Sequence, residues 1–429
     1  MNINMEKIQY DEAGEVLYRY EHSSGLKAFV IPRKGYSKKY ATFATHYGSI
    51  DNEFIIPGES IPTRVPDGIA HFLEHKLFEQ KDGSVMDKFA RLGSNPNAYT
   101  SFNQTVYLFS CTDRFEDNFE LLLNYVQNPY ITEESVEKEK GIIGQEIMMY
   151  QDDPGWRSFF NLLGGFYSKL PVKIDIAGTA ESIAKIDRDT LYKCYNTFYH
   201  PSNMIILVVG DVEPESVFSR VEKLLEKKDA RPQIKRIYPT EPEKIYKNYV
   251  EQSLAVSTPI FQMGYKDNDL NGGGIELLMH EVAVKVLLDM LIGRSTLLYD
   301  QLYTEGLLNA SFDTDFTIEK GYAFSMLGGE SRDPMMVMER FSQSVEDLRK
   351  RGLDREGYDR LIRSMLGRYM RQFNSVERIS HSFISVYFKE VNMFDYLRVY
   401  DKISFDYINE VFEKHFRREN MALSIIKPI

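Results

Sequence analysis

From Lys185 the sequence KIDRDTLYKCYNTFYHPSNMIILVV passes from an amphipathic stretch through a short polar break into an unbroken apolar run. That order predicts helix, loop and strand. The pattern returns at Lys402 as KISFDYINEVFEKHFRRENMALSII, without gaps and at a constant offset of 217, so that Lys185, Ile186, Asn203 and Met204 recur as Lys402, Ile403, Asn420 and Met421. Two copies of one domain are the simplest account. Between them, residues 226–246 are charged, carry three prolines and lack helical periodicity, which suits an inter-domain linker. The expected division is residues 1–235 and 236–429. Within the first copy, apolar segments such as GLKAFVIP, YATFATHYG and TVYLF read as strands, and FEDNFELLLNYVQ reads as a helix. The expected fold class is therefore α+β: two similar domains in tandem, each a sheet backed by helices rather than a doubly wound sheet.

Composition narrows this picture only a little. The chain has 429 residues and two cysteines, Cys111 and Cys194, too few for a disulfide framework, so a reducing compartment is expected. The start is polar and acidic without the pattern of a signal peptide, and the longest apolar run, residues 204–209, is far too short to span a bilayer. These features imply a cytoplasmic protein with no membrane partner. A net charge of -11 repels phosphate backbones and argues against nucleic acid.

The chemistry concentrates in His71-Phe72-Leu73-Glu74-His75. On a helix, positions i, i+3 and i+4 share a face, so His71, Glu74 and His75 point into one space. Two imidazoles so placed can grip a zinc ion, and Glu74 is close enough to take a proton from a water at the ion's open position. This is the H-x-x-E-H order. A third ligand is needed. Residues 136–150, VEKEKGIIGQEIMMY, read as a helix with Glu139 and Glu146 seven apart on one face. Glu146 sits among Ile142, Ile143 and Ile147, where a carboxylate is costly unless paired or bound to metal. At the offset of 217, Glu139 maps to Glu356 but Glu146 maps to Arg363, which cannot ligate zinc. The second copy reads as lacking metal ligands, a wall of the substrate space rather than a second site, and the other histidines as ordinary surface or core residues.

HFLEH, followed by NPNAYTSFNQTVY and EKEKGIIGQEIMMY, resembles the pitrilysin/insulinase family of zinc peptidases, and PDGIAHFLEHKLFE with EKGIIGQEIMMYQDDP resembles its bacterial YmfH-like branch. The resemblance implies one Zn2+ per chain held by His71, His75 and Glu146, Glu74 as general base, and Glu139 supporting the site. It implies two mainly antiparallel domains forming half of a clamshell, with a peptide substrate laid as an added strand along Asn97, Ala98 and Tyr99. In such peptidases an arginine and a tyrosine across the chamber stabilise the oxyanion. The matching stretch here, LYTEGLLNAS at residues 302–311, has Tyr303 and Asn309-Ala310 in those places. The pair is missing. The expectation is a zinc endopeptidase that obtains the pair from a paralogous subunit, closing with it or with a second copy of itself; the alternative is a non-catalytic zinc-binding assembly subunit.

Overall fold

The computed structural model describes residues 3–229, 233–270 and 272–429. Residues 230–232 of the expected linker lie outside the described residues. The chain forms two units: residues 1–148, 174–239 and 372–384 make the first, and residues 149–173, 240–371 and 385–429 the second.

In the first unit the apolar segments form a seven-stranded sheet, ordered Glu6–Tyr10, Glu15–Glu21, Lys27–Pro32, Met204–Gly210, Lys39–Thr45, Thr105–Cys111, Asn95–Thr100. Every pairing is antiparallel except Lys27–Pro32 with Met204–Gly210. The central strand Met204–Gly210 is buried at all seven positions, which explains its unbroken apolar run: both faces of the sheet are covered. Helices Phe115–Gln127 and Arg188–Phe198 belong to this unit, the latter begun by Asp187 accepting from the Thr190 N–H at 2.7 Å. The opposite face receives residues 372–384, where Phe383 meets the Phe29 ring at 5.0 Å and Ser380 reaches Thr42.

The second unit repeats the plan with five strands: Tyr249–Leu254, Met421–Pro428, Ile260–Asp267, Tyr322–Glu330, Asp313–Glu319. Again a single pair is parallel, here Tyr249–Leu254 with Met421–Pro428. Its sheet is covered in part by Pro154–Phe166, a helix from the sequence of the first copy, capped by Asp153 at the Trp156 N–H and seated with Phe166 5.9 Å from Phe324. Each sheet is thus completed by a helix from the other copy, a crossing that the helical pattern alone does not announce. The expected linker is bound along its described length. Arg236 pairs with Asp51 at 3.0 Å in the first unit, and Glu241 accepts the backbone N–H groups of Ser168, Lys169 and Leu170 at 2.7 to 2.8 Å in the second.

Candidate metal centre

The motif lies on the helix Ile69–Leu77, against the edge strand Asn95–Thr100. Its capping residue must be glycine on two counts: Gly68 has φ 87°, and a Cβ there would stand 2.3 Å from the Ala177 carbonyl oxygen. The second helix, Glu133–Asp152, opens with a reciprocal cap in which Thr132 and Ser135 each accept the other's backbone N–H at 3.1 Å.

Together these helices bring His71, His75 and Glu146 into one cluster, each offering a ligand atom within 4.8 Å of the others. His71 Nε2 stands 3.7 Å from one Glu146 oxygen and His75 Nε2 3.6 Å from the other. Those gaps are too long for good hydrogen bonds. They are close to the spacing of roughly 3.3 Å between donors that share a tetrahedral zinc with bonds near 2.05 Å. The donor set of two imidazoles and a carboxylate also suits zinc, so the residues fit the ion.

The surroundings set the protonation of each group. Burial pushes His71 down to about 3, helped by the neighbouring His75, so its ring is neutral and its lone pair free. Burial also lowers His75, but its hydrogen bond to Glu139 and the charges of Glu74, Glu139 and Glu146 outweigh that and leave it raised. The Glu139 Oε1 to His75 Nδ1 distance is 3.0 Å, so Nδ1 donates to the carboxylate and Nε2 is left facing Glu146. Glu139 itself is raised by burial, yet its bond to His75 and the charges of His75, Lys76 and Lys138 bring it below the usual range.

Glu74 is buried and outside the ligand set. Burial raises it, opposed by a 2.7 Å hydrogen bond donated by Thr100 and by His75, and reinforced by Glu146. Asn97, Ala98 and Tyr99 lie on the strand that ends the sheet, paired on one side with Thr105–Cys111. Tyr99 packs 5.7 Å from His381. Sequence reasoning missed two neighbours, Thr100 and Lys76. A lysine directly after the motif, in a helix whose remaining residues outside the motif histidines and glutamate are apolar, was the available signal for Lys76. Glu356 and Arg363 both fall on Arg355–Arg371, and the Glu356 side chain is 90% exposed.

The family model described as insulinase (peptidase family M16) matches residues 63–180, and that of the peptidase M16 inactive domain matches residues 185–365. Two M16 domains in tandem, mixed in helix and sheet, define the class. The chain belongs to the insulinase family of zinc proteases. It is 41% identical over 427 residues to the uncharacterised zinc protease YmfH of Bacillus subtilis, covering 99% of each chain, and 27% identical over 221 residues to the zinc protease AlbF of the same species, covering 51% of each. An M16-like peptidase structure from Alicyclobacillus acidocaldarius superposes with a TM-score of 0.92 at 31% identity, covering all of both chains. A protease from Helicobacter pylori shares the fold at a TM-score of 0.79 and 18% identity, over 99% of this chain and 100% of that one. Among the described residues no helix is long and apolar enough to cross a membrane.

Proposed function

We propose that the chain is a zinc-dependent endopeptidase whose first copy, up to about residue 235, carries the chemistry. The observation that supports this most is the spacing of His71, His75 and Glu146, held apart at 3.6 to 3.7 Å rather than joined by hydrogen bonds. A zinc ion held by these three residues would polarise the scissile carbonyl and acidify a water. Glu74, oriented by Thr100, takes the proton of the attacking water and returns it to the leaving amine. Glu139 fixes the His75 ring through Nδ1. The free edge at Asn97, Ala98 and Tyr99 pairs with the substrate backbone, which gives affinity with modest sequence preference. The chain works in the cytoplasm in this reading.

Within residues 302–311 the arginine's place is taken by Tyr303 and the tyrosine's by Asn309-Ala310, and donors of the missing kind each contribute about 3 kcal/mol to such a reaction. We therefore assign the pair to a paralogous partner of similar size. The test is zinc analysis of the purified chain, with a peptide-library digest run on the chain alone and on the chain mixed with candidate paralogues, with and without chelator. Zinc at one per chain, weak cleavage alone and strong cleavage in the mixture are expected. Full activity from the isolated chain would remove the need for a partner. Zinc without cleavage in any mixture would favour the non-catalytic assembly subunit.

A further inference from the structure

Lys76 follows His75 directly and its side chain is completely buried. A buried ammonium is costly unless paired, and replacing such a pair by apolar groups is often neutral or stabilising, so stability alone is a weak reason for a cation here. Its partners point elsewhere. Lys76 Nζ donates to Glu79, reaches the Ser135 carbonyl oxygen at 3.3 Å and stands 3.8 Å from Glu139 Oε2. The other oxygen of that carboxylate, Oε1, accepts from His75 Nδ1 at 3.0 Å. The imidazole thus hydrogen-bonds one end of Glu139 while the ammonium stands at ion-pair distance from the other.

We propose that Lys76 is a positioning residue for the metal centre, acting through Glu139 to fix the His75 ring with Nε2 turned toward Glu146. This rests on the zinc reading above. Without Lys76 the Glu139 carboxylate keeps a partner at one end only and is free to turn away from His75.

The experiment measures zinc affinity by chelator competition for the parent, Lys76→Met, Lys76→Arg, Glu139→Gln, the Lys76→Met/Glu139→Gln double variant and Glu79→Gln. Lys76→Met should weaken zinc about tenfold, the usual scale for disturbing a group behind a ligand. Lys76→Arg should recover most of that loss, the double variant should bind no worse than Glu139→Gln alone, and Glu79→Gln should match the parent. Parent-like affinity in Lys76→Met, no recovery with arginine, or losses that multiply in the double variant would overturn the proposal. A second readout needs no metal: in zinc-free protein at alkaline pH, the imidazole 15N signals of His75 should report a proton on Nδ1 in the parent and a mixture of tautomers in Lys76→Met. A parent that binds no zinc would sink the metal reading, and these signals alone would then decide for or against the Lys76 relay.

Discussion

Both copies of the domain hold two histidines around one carboxylate, and only one of the two clusters has the spacing to hold an ion. In the first, the imidazole nitrogens stand 3.6 and 3.7 Å from Glu146. In the second, His280 Nε2 and His415 Nδ1 both lie 2.7 Å from one oxygen of Asp267, and His415 Nε2 is joined to Ser325 Oγ at 2.8 Å. All four residues are buried. Hydrogen bonds already occupy the place an ion would take, and among the described residues the first cluster alone has metal-ligand spacing. The registers show how one plan produced both. Met204 lies opposite Thr45 and Met421 opposite Tyr265, so two residues further on Tyr47 and Asp267 hold equivalent places. Tyr47 stacks on Phe198 at 3.9 Å, and His415, 217 positions after Phe198, bonds Asp267 instead. Counting from the capping glycines Gly68 and Gly274, His280 stands where Glu74 does, beside Phe316, which holds the register place of Thr100. Where the first copy has an aromatic stack the second has a hydrogen-bonded histidine and aspartate, and where the first has Glu74 the second has a core histidine.

The contrast is broken most severely by removing a ligand. His75→Ala or Glu146→Gln should lose zinc, measured by metal analysis, and with it all detectable hydrolysis. A Glu146 variant with the parent's zinc content would show that the third donor lies elsewhere. Next in size, Glu74→Gln should keep zinc yet lose about 10² to 10⁴ in kcat, the scale of general-base catalysis. Loss of metal in that variant would make Glu74 a ligand.

In the second copy the matching change acts on stability. Asp267 is raised by burial but held far below the usual carboxylate range by His415 and His280. A depressed carboxylate contributes stability that is present above its unfolded value near 3.9 and lost as pH falls toward the folded one. Asp267→Asn should therefore cost about 3 kcal/mol at neutral pH, measured by denaturant unfolding, and should flatten the loss of stability below about pH 4. Zinc binding should be untouched. A variant that lost zinc instead would mean the two clusters are coupled. Smaller again, Glu139→Gln should weaken zinc or activity about 10- to 100-fold.

Much of this was open to a reader of the sequence because it is local. The H-x-x-E-H spacing is decided within one helical turn, and residues 136–150 sit within the helix Glu133–Asp152. The offset of 217 reappears in two sheets, the five strands of the second following the order of the last five of the first with the same parallel pair. What escaped depends on contacts distant in sequence. Residues 372–384 and Pro154–Phe166 carry ordinary amphipathic patterns, and nothing in such a pattern says which sheet it will cover. His280, His415 and Asp267 are scattered over 149 positions, so no spacing rule joins them; only the docking of the helices Ile275–Ile292 and Phe405–His415 against the end of the strand Ile260–Asp267 does. Lys76 and Thr100 were visible as residues, but their roles follow from Glu139 and Glu74 facing them.

The smallest effect belongs to Thr100, and it tests whether Glu74 is tuned as a base. Burial already raises Glu74, and the 2.7 Å bond from the Thr100 hydroxyl, made to its ionised form, opposes that rise. Thr100→Val keeps the shape and removes the donor. The three ligands are untouched, so zinc content should be unchanged. A hydrogen bond to a charged group contributes about 1.5 to 3 kcal/mol, and since Glu74 retains His75 nearby the lower end applies, a loss of roughly tenfold in kcat/KM. The sign of the pH effect is fixed. Glu74 must be ionised to accept a proton, activity falls as pH drops through its pKa, and the variant should move that acid limb to higher pH. A pH–rate profile of kcat/KM for both proteins reads it directly. An acid limb that stays in place, or moves down, would mean that the ionisation controlling the rate belongs to another group and that Thr100 only packs against the motif helix.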